Sequence, residues 1–283
     1  MTKIVGLTLP YHDQPFERAL EGLAAAGYRF AAFGTAHVGA PVPDEEDPAE
    51  PARLRALFRS FGLKPEVLFA HSQFHPDLPA ERAVRMLEFA SELEIPEVNT
   101  LGFWGYRTFP DIPLTPDEYE TLNDRFIARY QSIARDAERL GVRVTLKPHT
   151  GNTATGPILL DTLRRIGSPF VKACYDPGNV GYYEGVDPET DLPSVASEVV
   201  SFVAKEQGRR GLRSYDFSVP GEGDYDFPGM FGLLRKSGFD GPVIVEKLDR
   251  DGKPIPPEET DRRAERARRN LERLLIEAGF TVE

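Results

Sequence analysis

Cysteine is almost missing: Cys174 is the only one in 283 residues, so no internal disulfide can form and a reducing compartment fits. Long apolar runs are missing too, and none approaches the roughly 20 residues that span a bilayer. The opening "MTKIVGLTLP" has no basic segment followed by an apolar stretch and a small-residue cleavage site. A cytoplasmic location without a membrane partner is therefore expected. Positive charge is in deficit, with 34 Lys and Arg against 45 Asp and Glu and a net charge of -11. A surface of that sign repels a phosphate backbone, which argues against nucleic acid as a partner. Histidine is scarce, and its five positions, 12, 37, 71, 75 and 149, are too dispersed to supply a histidine-rich metal cluster convincingly.

What is present is a regular alternation. Apolar or β-branched runs occur at 3–9, 28–34, 64–70, 96–102, 142–147, 170–176, 199–205 and 242–248, giving eight expected strands. Helix-like segments separate them, for example "PFERALEGLAAAG", "PAERAVRMLEFASELE" and "PDEYETLNDRFIARYQSIARDAERLG", with "LPSVASE" poorly marked. Several open on proline and close on glycine, as helix starts and stops should. Eight βα units predict a parallel sheet closed into a (β/α)8 TIM barrel, α/β in class, and no composition shift divides 1–283 into more than one domain. Irregular stretches at 35–48, 105–116, 206–225 and 249–257 all follow strands, so they are expected on the C-terminal face of the barrel, where active sites are built.

Strand ends carry the candidate chemistry. Lys147 ends the fifth run within "VRVTLKPHT", Asp176 the sixth, Lys205 and Glu206 the seventh, and Glu246 stands in the eighth. Side chains alternate along a strand, so Lys147 and His149 face the same way. His71 follows the third run, and Trp104 follows the fourth with Phe103 and Tyr106 beside it. Charged groups on one wall and rings on another suit a small polyol, which stacks its C–H faces and hydrogen-bonds its hydroxyls.

The stretches "GVRVTLKPHTGNT", "YDPGN", "VAKEQ" and "VPGEGDYDFPGMFGLLRKSGFDGPVIVE", with the strand spacing between them, resemble the xylose isomerase-like TIM barrels. That superfamily of sugar phosphate isomerases and epimerases includes ketose 3-epimerases, inosose dehydratases and, more distantly, endonuclease IV. The resemblance covers the whole chain and is strongest from 140 to 248. It implies one divalent metal, often manganese, held by Glu, Asp, His and Glu from successive strand ends. Asp176 matches the second position and Glu246 the fourth. Lys147 stands at the first, and Val203 stands where the histidine is expected. An ammonium group has donors but no lone pair for a metal, so no cofactor is expected. If manganese or zinc does bind, Asp176, Glu246 and His149 are its ligands.

Together the residues and the resemblance imply a sugar isomerase, epimerase or lyase acting on a small polyol or keto-sugar by proton abstraction beside a carbonyl. Lys147, Asp176 and Glu246 are the catalytic candidates, with Glu246 as base and Lys147 as either an ammonium electrophile or a Schiff-base nucleophile. His149, Lys205, Glu206, Asn179, His71 and Trp104 are candidate substrate contacts. Plainer readings stand beside these: an ion pair at a barrel mouth for Lys147, a turn cap for Asp176, a mutual surface pair for Lys205 and Glu206, packing for His71 and Trp104. The acids of "PGEGDYDF" disfavour a phosphorylated substrate. A non-catalytic barrel that binds sugar or protein through a decayed metal site is the alternative, and an endonuclease IV-like repair nuclease is a remoter one. Oligomeric state is open.

Overall fold

A computed structural model of the chain describes residues 1–208, 213, 215–249, 252–253 and 255–283. The stretches 206–225 and 249–257, expected on the active face, therefore lie partly outside the described residues.

Eight parallel strands close into a barrel: β1 (Ile4–Leu7), β2 (Phe30–Phe33), β3 (Lys64–Phe69), β4 (Glu97–Leu101), β5 (Arg143–Lys147), β6 (Val171–Tyr175), β7 (Val199–Val203) and β8 (Val243–Val245). Each pairs with its neighbours in sequence, and β8 closes on β1 with Val5 opposite Ile244. The eight runs expected from the sequence are these eight strands, each trimmed by a residue or more at one end or both.

Long helices pack outside: α1 (Phe16–Ala25), α2 (Glu50–Ser60), α3 (Ala80–Glu92), α4 (Pro116–Leu140), α5 (Gly156–Ile166), α6 (Phe227–Lys236) and α7 (Pro257–Glu277). Thr115 and Glu118 form a reciprocal capping box at the start of α4, and Gly141 ends it in the left-handed region that glycine enters without steric cost. The weakly marked "LPSVASE" segment is two single turns, Leu192–Ser194 and Ala196–Glu198, instead of a helix. Its proline and β-branched valine interrupt any longer hydrogen-bonded run. Along α7 the arginines pair with glutamates four residues away, as in Arg263 with Glu259 and Arg269 with Glu265. That is a solvated outer face.

The core is double. One apolar layer lies between barrel and helices, including Val98, Val144 and Leu146. A second fills the barrel itself, with Val5, Val67, Cys174, Val203 and Ile244. Because side chains alternate, Val98, Val144 and Leu146 face the helices while Glu97, Asn99, Thr145 and Lys147 face inward. This alternation places charged groups at the barrel mouth. Among the described residues no helix is long and apolar enough to cross a membrane.

Candidate active site

Four charged side chains meet at the C-terminal end of the barrel. Lys147 closes β5, Asp176 follows β6, Lys205 lies two residues beyond β7, and Glu246 follows β8. Lys147 Nζ donates to Glu246 Oε2 and stands 3.2 Å from Asp176 Oδ2. Lys205 Nζ stands 2.7 Å from Glu246 Oε1 and 3.2 Å from the same Asp176 Oδ2. The result is a ring of alternating charge: Lys147, Glu246, Lys205, Asp176. All four are buried, with 5% or less of each exposed.

The "YDPGN" motif builds one side of this ring. Asp176 caps the turn at Pro177–Asn179, its Oδ1 accepting from Asn179 N at 2.9 Å. Asn179 in turn accepts from Lys205 Nζ at 2.7 Å and donates Nδ2 to Pro148 O at 2.7 Å. The cap and the ion pair are thus one construction, since each Asp176 oxygen serves a different partner. Lys205 faces the ring because it continues the alternation of β7, with Val203 inward and Phe202 and Ala204 outward, and its N donates to Val203 O at 2.8 Å.

Electrostatics keep Lys147 and Glu246 ionised. Burial works against the charge on Lys147, but Glu246 and Asp176 outweigh it and hold the ammonium above the ordinary lysine range. Burial likewise opposes the charge on Glu246, but Lys147 and Lys205 hold its carboxyl far below the usual value. His149 is driven the other way, down to about 3 by burial and then by both lysines, so its ring is neutral. Burial and Lys147 also lower His71.

A cavity of about 250 Å³ opens above the ring, and Lys147, Lys205, Glu246, Asn179, His71 and His149 all contribute to its wall. Trp104 does not line this space. It is 46% exposed and borders an adjoining cavity of about 140 Å³ with Phe74, Phe103 and Phe126, separated from the first by His71 and His149. Beside Phe69 at the end of β3, the phenyl and phenol rings on the main cavity are Tyr182, Tyr183, Tyr215 and Phe217, with Tyr183 against His149 at 4.1 Å between centroids. Only a fold could reveal them: Tyr182 and Tyr183 follow the "YDPGN" turn, and Tyr215 and Phe217 come from the loop after β7. Glu206 is buried but faces away from both cavities. It accepts from Gly221 N at 2.9 Å and Tyr225 N at 2.8 Å, anchoring the "PGEGDYDF" loop. Lys205 and Glu206 therefore make no mutual pair.

The metal site implied by the family resemblance does not fit these residues. Two ammonium groups fill the space where Asp176 and Glu246 converge, and neither offers a lone pair. Val203 is fully buried inside the barrel with Cys174 and Ile244. His149 leans on Tyr183 and Trp104. Among the described residues no group of three or more His, Cys, Asp and Glu side chains forms a metal-binding set.

Comparison with known proteins agrees with this architecture. The inosose dehydratase of Glaesserella parasuis serovar 5 (strain SH0165) is 28% identical over 138 residues, 43% of this chain and 46% of that protein. The chain thus spans about half the length of that relative. The inosose dehydratase of Geobacillus kaustophilus (strain HTA426) is 28% identical over 227 residues, 70% of this chain and 71% of the relative. Among solved structures, D-psicose 3-epimerase from Clostridium cellulolyticum H10, determined with D-tagatose, superposes with a TM-score of 0.77 at 15% identity, covering 97% of this chain and 99% of that one. Residues 20–274 match the family model for the xylose isomerase-like TIM barrel. With a closed eight-stranded barrel and its charged residues at the strand ends, the chain belongs to the xylose isomerase-like TIM barrel family.

Proposed function

We propose that the chain is a sugar isomerase, epimerase or lyase that removes a proton beside the carbonyl of a small keto-sugar. The observation that carries this reading is the buried ring of Lys147, Glu246, Lys205 and Asp176, the first three of which line a sugar-sized cavity. Relatives named inosose dehydratase and D-psicose 3-epimerase support the substrate class.

In this reading Glu246 takes the proton from the carbon next to the carbonyl. The C–H electron pair becomes the C=C bond of an enediolate, and the former carbonyl oxygen becomes an oxyanion. A carboxylate held so far below its usual pKa is a weak base in the resting site. The ring offsets that weakness. Proton transfer neutralises Glu246 and creates a negative oxygen in the same place, so the ammonium groups exchange one anionic partner for another and the charge pattern survives. Lys147 acts here as a fixed cation, since the flanking carboxylates disfavour the neutral amine a Schiff base requires, and Lys205 donates from the other side of Glu246. Asp176 and Asn179 position Lys205. Delivery of a proton to the opposite face of the same carbon gives an epimer, return of the proton from Glu246 to the neighbouring carbon an isomer, and loss of a β-hydroxyl as water, with the proton from Glu246, an α,β-unsaturated ketone.

The test is a thermal-shift screen of D-fructose, D-tagatose and D-allulose beside their phosphates and abasic DNA, followed by NMR detection of solvent deuterium entering any stabilising ligand. Stabilisation by a ketose with deuterium uptake supports the reading. Stabilisation by sugar phosphates or DNA alone overturns the ligand class, and a stabilising ketose that takes up no deuterium favours a binding barrel.

A further inference from the structure

Below the charged ring lies a polar atom that the fold orients and then leaves without a partner among the described residues. Asn99 sits on β4 opposite Thr145 of β5, one inward-facing layer deeper than the rung where Leu101 pairs with Lys147. It is 1% exposed, and it lines the cavity. Its Nδ2 donates to Thr145 Oγ1 at 2.9 Å. The Thr145 hydroxyl proton is already committed, because Thr145 Oγ1 donates to Glu97 Oε1 at 2.7 Å, and Ser201 Oγ donates to the same oxygen at 2.6 Å. Thr145 can therefore only accept from Asn99. With Thr145 donating to Glu97, the amide is held with Oδ1 turned away from Thr145.

Asn99 Oδ1 has no hydrogen-bond partner among the described residues, and the same holds for the buried Oγ1 of Thr35, which also lines the cavity. A buried carbonyl oxygen left unpaired costs free energy, and the few in native proteins call for an explanation. A carboxamide oxygen accepts and never donates. What it admits is a group carrying a proton.

We infer that Asn99 Oδ1, with Thr35 Oγ1 on the wall of the same cavity, reads a hydroxyl of the substrate remote from the reacting carbonyl and so sets which way a keto-polyol enters. The inference rests on the keto-sugar reading above and adds a direction to it. The acceptor end of the ligand, its carbonyl oxygen, meets the donors Lys147 and Lys205. The donor end, a hydroxyl, goes deeper to Asn99. Ethers and deoxy carbons are rejected at that end, because they leave Oδ1 unpaired.

The experiment is isothermal titration of D-fructose, D-tagatose and D-allulose, with their single-position deoxy and O-methyl analogues, into the parent, Asn99→Leu and Thr35→Val. In the parent, one hydroxyl remote from the carbonyl should weaken binding about tenfold when removed or methylated. In Asn99→Leu the same change should cost nothing further, a coupling that mere loss of structure does not produce. If Asn99→Leu fails to fold, the parent series and Thr35→Val decide. A parent series in which no remote hydroxyl matters more than about twofold, or an equal penalty in parent and variants, overturns the inference and leaves the keto-sugar reading intact. A parent that binds none of the three ketoses overturns both.

Discussion

Lys205 Nζ lies 2.7 Å from Glu246 Oε1, which makes it the second cation on a carboxylate that Lys147 already holds. The two lysines share two acids, and neither acid is left with a single partner. Replacing Lys147 or Lys205 by Met should therefore leave a buried negative excess and destabilise the fold by roughly 2–4 kcal/mol near neutral pH. The double variant should lose more than the sum, because the last compensating charge goes with it. Denaturant midpoints of the two single variants and the double variant check this. Single variants as stable as the parent would contradict the shared-charge arrangement.

The glycine of "YDPGN" makes room for the second lysine. A Cβ at Gly178 would stand 2.6 Å from Lys205 Cδ and 2.9 Å from Lys205 Cβ, too near the base of the side chain for a rotamer change to relieve. Gly178→Ala should push Lys205 out of the ring, and its stability loss should shrink in a Lys205→Ala background, which removes the Cγ and Cδ atoms that the new methyl would meet. A double-mutant cycle measures this. An equal Gly178→Ala penalty in both backgrounds would mean that the glycine serves the backbone alone.

Glu206 gives a pH dependence of definite sign. Burial lifts its carboxyl to about 7, against the opposing pull of amides from Tyr225 and Gly221 and with some help from the charge of Asp224. Its folded value lies above that of an unfolded glutamate, about 4.3. Folding therefore favours the acid form, and this contribution is complete below about pH 4 and lost as pH rises through about 7. Between pH 5 and 8 the parent should lose roughly 1–3 kcal/mol relative to Glu206→Gln, which carries no titrating group there. The slope is the readout, since Gln also gives up one amide contact and shifts the whole curve. Identical slopes would contradict the account.

The barrel was legible in the chain because its signals are local. Alternating apolar runs, proline starts and glycine ends each act within a turn or a strand, and all eight strands follow from them. Asp176 and Glu246 were legible as charged residues at strand ends, and Lys147 stood out because an ammonium occupies a position where a carboxylate was expected. Lys205 was harder to read. Its place in the ring depends on β7's alternation carrying on past Val203, and nothing in "VAKEQ" distinguishes that from a pair with Glu206. Asn99 gave no signal, since an inward amide matters only through Thr145 and Glu97 on neighbouring strands. Trp104 attracted notice for its rarity, yet Tyr183 and Phe217, from two separate loops, line the main cavity.

The central claim is that Lys147 and Lys205 do in this barrel what a divalent cation would otherwise do for an enediolate. The most direct measurement is the rate of solvent deuterium entry into a ketose, followed by NMR after exhaustive dialysis against a chelator, then with manganese restored, and in Lys147→Met. The expected result is an exchange rate unchanged by chelator or manganese and reduced at least about a hundredfold in Lys147→Met. Exchange that disappears on chelation and returns with manganese would contradict it.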